Sequence, residues 1–273
     1  MDKYTALCLN GGGIRGALHV GALRAFGTQQ LHELFPDGVY GISIGAVVCA
    51  LIAFEFTLDE ISNMSRELRI ESMIEEPRLQ QFMEFGSRLG LDSGEKIRLY
   101  MKRIFEAKQL NLDTLLIKDA SIPLNIIASD MTNCTVVTFC GTIRVWDALR
   151  ASIALPLVFT PHTIKQRVFV DGAVLCKNIL SVVPLKQRHH TLALVLNNYK
   201  QSNLQHASAT QFMNHVLHAP SVSEILRMKA RYPRNICVLT ETATDILDFE
   251  PDIDSMLDVG ESICRLFLSE STD

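Results

Sequence analysis

Val39-Tyr40-Gly41-Ile42-Ser43-Ile44-Gly45, followed by the unbroken apolar run Ala46–Phe54, is the stretch on which the reading of this chain turns. Val39–Ile42 has the composition of a short buried strand. Gly45–Phe56 is apolar nearly all round, which predicts a helix at the centre of a domain rather than on its surface. Between them sits a serine with a glycine two residues to either side. A chain passing from strand to helix this abruptly brings the flanking positions into collision unless they lack side chains, hence Gly41 and Gly45. Such a turn, a nucleophile elbow, exposes the serine hydroxyl and brings N–H groups of the following helix close to it. The pattern alone is common by chance; its place between strand and buried helix gives it weight.

Upstream, Tyr4–Leu9 reads as a buried strand that runs into Gly11-Gly12-Gly13-Ile14-Arg15-Gly16. Beyond it, Ala17, Val20, Leu23 and Ala25–Phe26 recur at helix spacing. Three glycines allow close backbone approach to a ligand, and a helix N-terminus offers unpaired N–H donors to an anion. A phosphate fits that description, and so does the oxyanion of a tetrahedral acyl-transfer intermediate. Gly11, Gly13 and Gly16 spell G-x-G-x-x-G, but a dinucleotide site also wants an acidic residue at a strand end about 20 positions on. Glu33 stands in Leu31-His32-Glu33-Leu34 with no strand-like run before it, and no Gly-Lys-Ser/Thr comes after the loop. No nucleotide partner is therefore expected. Downstream, the short strand Val168–Val170 leads into Asp171-Gly172-Ala173, a carboxylate at a strand end.

The remaining elements place these motifs in a fold. Leu58–Ile117 is charged and amphipathic, and predicts a helical insertion packed on the core or lying over the site. Within it, Ser93 is the expected N-cap of a helix Gly94–Phe105 whose apolar face carries Ile97, Met101, Ile104 and Phe105. Strands are predicted at Leu124–Ser129 and Thr135–Phe139, joined by a turn at Asp130–Cys134, with later buried strands at Leu192–Leu196 and Ile236–Leu239. A helix is expected from near Trp146 to Pro156. Strands alternating with helices, and short continuous apolar runs, predict a three-layer α/β fold with a mostly parallel central sheet flanked by helices. With no internal repeat or linker, residues 1–273 read as one domain.

In combination and order, Gly11–Gly16, Gly41–Gly45 and Asp171–Ala173 resemble the patatin-like phospholipase family. That family carries a Gly-Gly-Gly-x-Arg/Lys-Gly oxyanion loop, a G-x-S-x-G elbow and a later Asp-Gly-Gly/Ala. Ala148–Phe159 is similar to its alanine- and serine-rich helix ending in proline and phenylalanine, and Asp130 matches an aspartate on one of its core strands. The resemblance runs from about Leu7 to Asn178 and fades beyond Leu180, where the family's proline after the Asp-Gly motif is not clear. It implies a lipid acyl hydrolase, phospholipase A-type or a less specific carboxylic ester hydrolase, working through an acyl-enzyme. Ser43 would be the nucleophile, and Asp171 would take its proton directly, without a catalytic histidine. Gly11, Gly12, Gly13, Arg15 and Gly16 would form the oxyanion hole, Gly41 and Gly45 the elbow, and Gly172 and Ala173 the rest of the aspartate motif. An aspartate is a weak base near its usual pKa of about 4, so this role needs partial burial. The resemblance also implies a lipid substrate met at a membrane or micelle surface; no metal-ligand cluster is visible in the sequence, so activity without calcium, other metal or cofactor is expected.

Other readings stay open at this point. His189, His190, His206, His215 and His218 all come after Asp171, the order of a Ser-Asp-His triad in α/β-hydrolases. His19 is expected to hydrogen-bond locally, Arg15 equally to cap its loop, and Asp130 to hold a turn. A lipid- or protein-binding module with an inactive site would use the same fold. Bulk composition narrows the field further. A net charge of −4 without any Lys/Arg run argues against nucleic acid and against a polybasic membrane anchor. Seven cysteines without C-x-x-C spacing read as buried reduced thiols, and hence as a cytoplasmic protein. The N-terminus lacks signal-peptide character. The run Ala46–Phe54 falls far short of the roughly 20 residues of a membrane span, so any lipid contact is expected to be peripheral.

Overall fold

The computed structural model describes residues 4–27, 29–67, 73–75, 83, 85–197, 209–240 and 252–270. Five parallel strands form its centre: β1 (Ala6–Leu9), β2 (Gly38–Ile42), β4 (Leu124–Asp130), β9 (Thr191–Asn197) and β10 (Ile236–Thr240). Antiparallel β5 (Thr135–Phe139), β7 (His162–Ile164) and β8 (Arg167–Asp171) complete an eight-stranded sheet of order β10-β9-β1-β2-β4-β8-β7, with β5 on β4. A second, two-stranded sheet pairs β3 (Gly90–Asp92) with β6 (Leu157–Phe159) in parallel.

The central strands are covered on both faces, which is why they read as continuous apolar runs rather than alternating ones. Leu7, Leu9, Leu192, Leu194 and Leu196 point to one core. Cys8, Tyr40, Ile42, Ala193 and Val195 point to the other. On the first face pack α1 (Gly16–Arg24), the short α2 (Leu31–Leu34), α3 (Ile44–Ala53), α7 (Val145–Ser152) and α9 (Ile253–Glu270). On the second lie the turn Ile179–Val182 and, through Ile225 and Met228, α8 (Ala209–Arg231). The expected three-layer α/β architecture is present.

Several boundaries differ from the sequence reading. α3 ends at Ala53, three residues before Phe56, because Glu55 turns left-handed (φ 62°). The Glu55 N–H then donates to the Ile52 carbonyl and the Phe56 N–H to the Leu51 carbonyl, each at 3.0 Å, a Schellman stop that closes the helix despite its apolar continuation. α7 likewise ends at Ser152, ahead of Pro156. The insertion contains α4 (Leu58–Glu67), α5 (Phe85–Arg88) and α6 (Glu95–Ala107), but also the unexpected strand β3. Residues 68–72, 76–82 and 84 of it lie outside the described residues. The residue flanking α6 is Gly94 (φ 76°), not Ser93. Its N–H is held by the Asp92 carboxylate at 2.6 Å, and the Ser93 hydroxyl takes the Glu95 N–H at 3.2 Å.

Candidate active site

At the elbow the steric argument for glycine becomes a distance. A Cβ at Gly45 would stand 2.3 Å from the Leu9 carbonyl oxygen, and one at Gly41 2.4 Å from the Ala46 Cα. Backbone is met in both cases, so no side chain can give way. Between them Ser43 takes φ 55°, ψ −126°, a conformation that non-glycine residues hold only when their surroundings over-determine it.

β4 brings the aspartate to the serine. Its one edge is shared by two strands arriving end to end: β2 pairs along it as far as Ile42 with Ile127, and antiparallel β8 ends with Asp171 opposite Ala128. Ser43 and Asp171 thus leave their strands at adjacent rungs although 128 positions apart in sequence. The Ser43 hydroxyl lies close enough to the Asp171 carboxylate to pull its pKa down. That carboxylate accepts the Ala173 N–H at 2.8 Å and so caps the turn Gly172–Val174. Asp171 is 3% exposed. Burial lifts its pKa from 3.8 to about 6, against the downward pull of the Ser43 hydroxyl, the Ala173 N–H and Lys177. A carboxylate so placed can accept a proton near neutrality and return it.

The glycine loop closes on the same point. A Cβ at Gly11 would stand 3.0 Å from the Ser43 Cβ. The loop is anchored upstream by Asn10, whose side-chain amide bonds the Leu196 N–H at 2.7 Å and the Leu196 carbonyl at 3.1 Å. Arg15 is buried, and its Nε donates to the Gly12 carbonyl at 3.3 Å. Gly11, Gly12, Gly13, Arg15, Ser43, Asp171 and Ala173 all line one cavity of about 760 Å³. Gly16, Gly41, Gly45 and Gly172 stand behind it and set the turns. The rest of the wall is mostly apolar: Val48 and Leu51 of α3, Ile61 and Met64 of α4, Ile97, Met101 and Ile104 of α6. The insertion is therefore part of the cavity and not only cover for the core.

Among the described residues no histidine lines this cavity. His19 is buried, bonds the Asn10 carbonyl at 3.0 Å and is pushed by desolvation down to about 4, hence neutral. His189 and His190 are exposed. His206 lies outside the described residues, as do the side chains of His215 and His218. Asp130 holds its turn as expected, through the Thr132 N–H at 2.9 Å, Asn133 at 2.7 Å and Arg167 at 2.6 Å. Burial would raise its pKa, but these bonds win and bring it to about 2. Among the described residues no group of three or more His, Cys, Asp or Glu side chains is placed to hold a metal ion.

The sequence motifs assign no role to two buried serines at the site. Ser152 Oγ accepts the Ser43 N–H at 2.9 Å and donates to the Ile127 carbonyl at 2.6 Å. Ser129 Oγ is 2.9 Å from the Asp171 carbonyl and 3.2 Å from that of Gly172, and accepts the Leu175 N–H at 3.1 Å. Ser152 falls within Ala148–Phe159, the stretch similar to the family's alanine- and serine-rich helix, but nothing in it marks this contact; the signal at Ser129 is a small polar residue after the apolar Ile126–Ala128.

Known proteins resemble this chain in sequence and in architecture. The Patatin-like phospholipase family model matches residues 7–186. The uncharacterized protein YqhO of Bacillus subtilis is 27% identical over 186 residues, 61% of this chain and 62% of that one. An uncharacterized NTE family protein of Mycobacterium tuberculosis is 29% identical over 197 residues, 70% of this chain and 49% of its own. The chain thus spans between about half and three fifths of these relatives. Among solved structures, VipD from Legionella pneumophila superposes with a TM-score of 0.59 at 12% identity, covering 98% of this chain and 67% of that one. The SpcU–ExoU complex from the type III secretion system of Pseudomonas aeruginosa gives 0.51 at 15% identity, over 98% and 53%. These last two show a shared fold.

Proposed function

The chain belongs to the patatin-like phospholipase family, and from that premise we propose that it is a lipid acyl hydrolase with Ser43 as nucleophile and Asp171 as its base. One observation carries this reading: Ser43 and the buried carboxylate of Asp171 come together from adjacent rungs of β4 and open onto one apolar-walled cavity. Ser43 Oγ attacks the ester carbonyl as Asp171 takes its proton. The tetrahedral oxyanion forms beside the glycine loop, where the Gly12 and Gly13 N–H groups are the donors; each such donor is worth on the order of 100- to 1,000-fold in rate. Collapse expels the alcohol, which recovers the proton from Asp171. Water, deprotonated by the same carboxylate, attacks the acyl carbonyl; collapse breaks the bond to Ser43 Oγ, which recovers that proton from Asp171, and the acid is released.

The apolar wall built by α3, α4 and α6 is the place for the acyl chain, and the chemistry needs no calcium. No helix among the described residues is long and apolar enough to cross a membrane, and the substrate is met by peripheral contact with a membrane or micelle surface. The deciding experiment measures hydrolysis of a medium-chain p-nitrophenyl ester and a labelled phospholipid in the presence of chelator. Wild type is expected to turn over and Ser43→Ala not. Silence of both across chain lengths and added vesicles would put a lipid-binding module in its place.

A further inference from the structure

Where α7 unwinds, it holds both members of the Ser43–Asp171 pair by their backbones. The Ser43 N–H donates to Ser152 Oγ at 2.9 Å, and that hydroxyl donates in turn to the Ile127 carbonyl at 2.6 Å. Two residues on, the Ala154 carbonyl accepts the Asp171 N–H at 2.9 Å. Ser152 and Ala154 are fully buried. Ile127, the third point of attachment, is the β4 residue paired with Ile42, one rung before the residue paired with Asp171. The segment Ser152–Ala154 therefore bridges the junction at which β2 and β8 meet.

We propose that Ser152 is a positioning residue for the hydrolytic reaction: its hydroxyl fastens the strained Ser43 backbone to β4 and so aims Ser43 Oγ at Asp171. The proposal rests on the hydrolase reading. Ser152 has one proton and gives it to Ile127, while its oxygen faces the Ser43 amide, so it is committed to backbone and does not act on substrate. A serine at φ 55°, ψ −126° relaxes when its restraint is removed. The engagement also has a consequence for the oxyanion. With the Ser43 N–H bonded to Ser152, the donors facing the developing charge come from the glycine loop.

The test uses the full chain with Ser152→Ala and Ser152→Cys, the latter keeping volume while being a poor hydrogen-bond partner. Steady-state hydrolysis of the p-nitrophenyl ester is measured across pH, together with the rate and stoichiometry of Ser43 labelling by a fluorophosphonate, and thermal unfolding. A displacement of the nucleophile by up to about 1 Å predicts a fall in kcat on the order of 10- to 100-fold, with KM within about threefold. The labelling rate falls in parallel at full stoichiometry, and the acid limb of the profile keeps its midpoint near 6. A folded Ser152→Ala with kcat within about threefold of wild type overturns the proposal. So does a loss that tracks the folded fraction, seen as fewer labelled sites at an unchanged rate. If Ser152→Ala fails to fold, Ser152→Cys decides by the same criteria. Wild type as inactive as Ser43→Ala overturns the hydrolase reading and this proposal with it. An active wild type, silenced by Ser43→Ala but indifferent to Ser152, overturns this proposal alone.

Discussion

Asp171→Asn exchanges a buried ionisable carboxyl for a neutral amide of nearly the same shape, and the structure sets both the size and the sign of the effect. Burial lifts the carboxyl from 3.8 to about 6, which amounts to about 3 kcal/mol against the ionised form in the fold. Because the folded pKa is the higher one, the folded protein holds the proton more tightly than the unfolded chain does. The penalty is then absent below the unfolded pKa, grows as pH rises between 3.8 and about 6, and is complete above. The asparagine variant escapes this penalty and can still accept the Ala173 N–H. At pH 8 it is expected to be more stable by up to about 3 kcal/mol, or roughly 6–12 °C in Tm, while turnover is lost. By pH 4 the gain shrinks to under about 1 kcal/mol. Denaturant unfolding of both proteins at pH 8 and pH 4 measures this directly. In wild type the same group requires kcat/KM at pH 5 to be about a tenth of its plateau. An asparagine variant no more stable than wild type at pH 8, or activity level from pH 7 to 5, would refute the reasoning.

Other perturbations test other parts of the site. Gly45→Ala drives a methyl into the Leu9 carbonyl, 2.3 Å away, and is expected to destabilise the fold by about 1–3 kcal/mol in urea unfolding, with loss of activity. Met101→Trp or Ile104→Trp fills the acyl wall while leaving Ser43 and Asp171 untouched. Activity on long-chain esters should fall at least about tenfold more than on acetyl or butyryl esters, and equal losses would remove the acyl chain from that wall. His189→Ala and His190→Ala should each leave kcat/KM within about twofold of wild type; a folded variant as inactive as Ser43→Ala would restore the triad. Dialysis against chelator should leave hydrolysis unchanged, and recovery of lost activity on adding calcium would contradict the metal-free chemistry.

The parts of the fold legible in the sequence are those with local causes. Ala6–Leu9, Gly38–Ile42, Leu124–Asp130 and Thr191–Asn197 are buried on both faces, so burial wrote itself into each as an apolar run. β3, β6 and β7 are three residues each, too short to show a period, and they exist because distant partners pair with them. The end of α3 is illegible for a related reason. Phe54 and Phe56 continue the apolar pattern because the core wants them, while a left-handed Glu55 stops the helix, and apolar periodicity does not report that turn.

The candidate site divides along the same line. Gly41, Ser43 and Gly45, the loop Gly11–Gly16 and Asp171-Gly172 are readable because each answers a steric or electrostatic demand arising within a few residues. The sequence by itself singled out the candidate groups for the chemistry, and it determined that a three-layer α/β fold holds them. Only the tertiary structure decided that Ser43 meets Asp171, because their approach depends on two strands sharing one edge of β4. It also decided that α4 and α6 wall the cavity and that burial lifts Asp171 towards neutrality. The same holds for Ser152, which reaches the Ser43 amide across 109 positions of chain. A hydrogen bond at that separation leaves no mark on local composition, since a serine hydroxyl looks the same in sequence whether it faces water or anchors a strained turn.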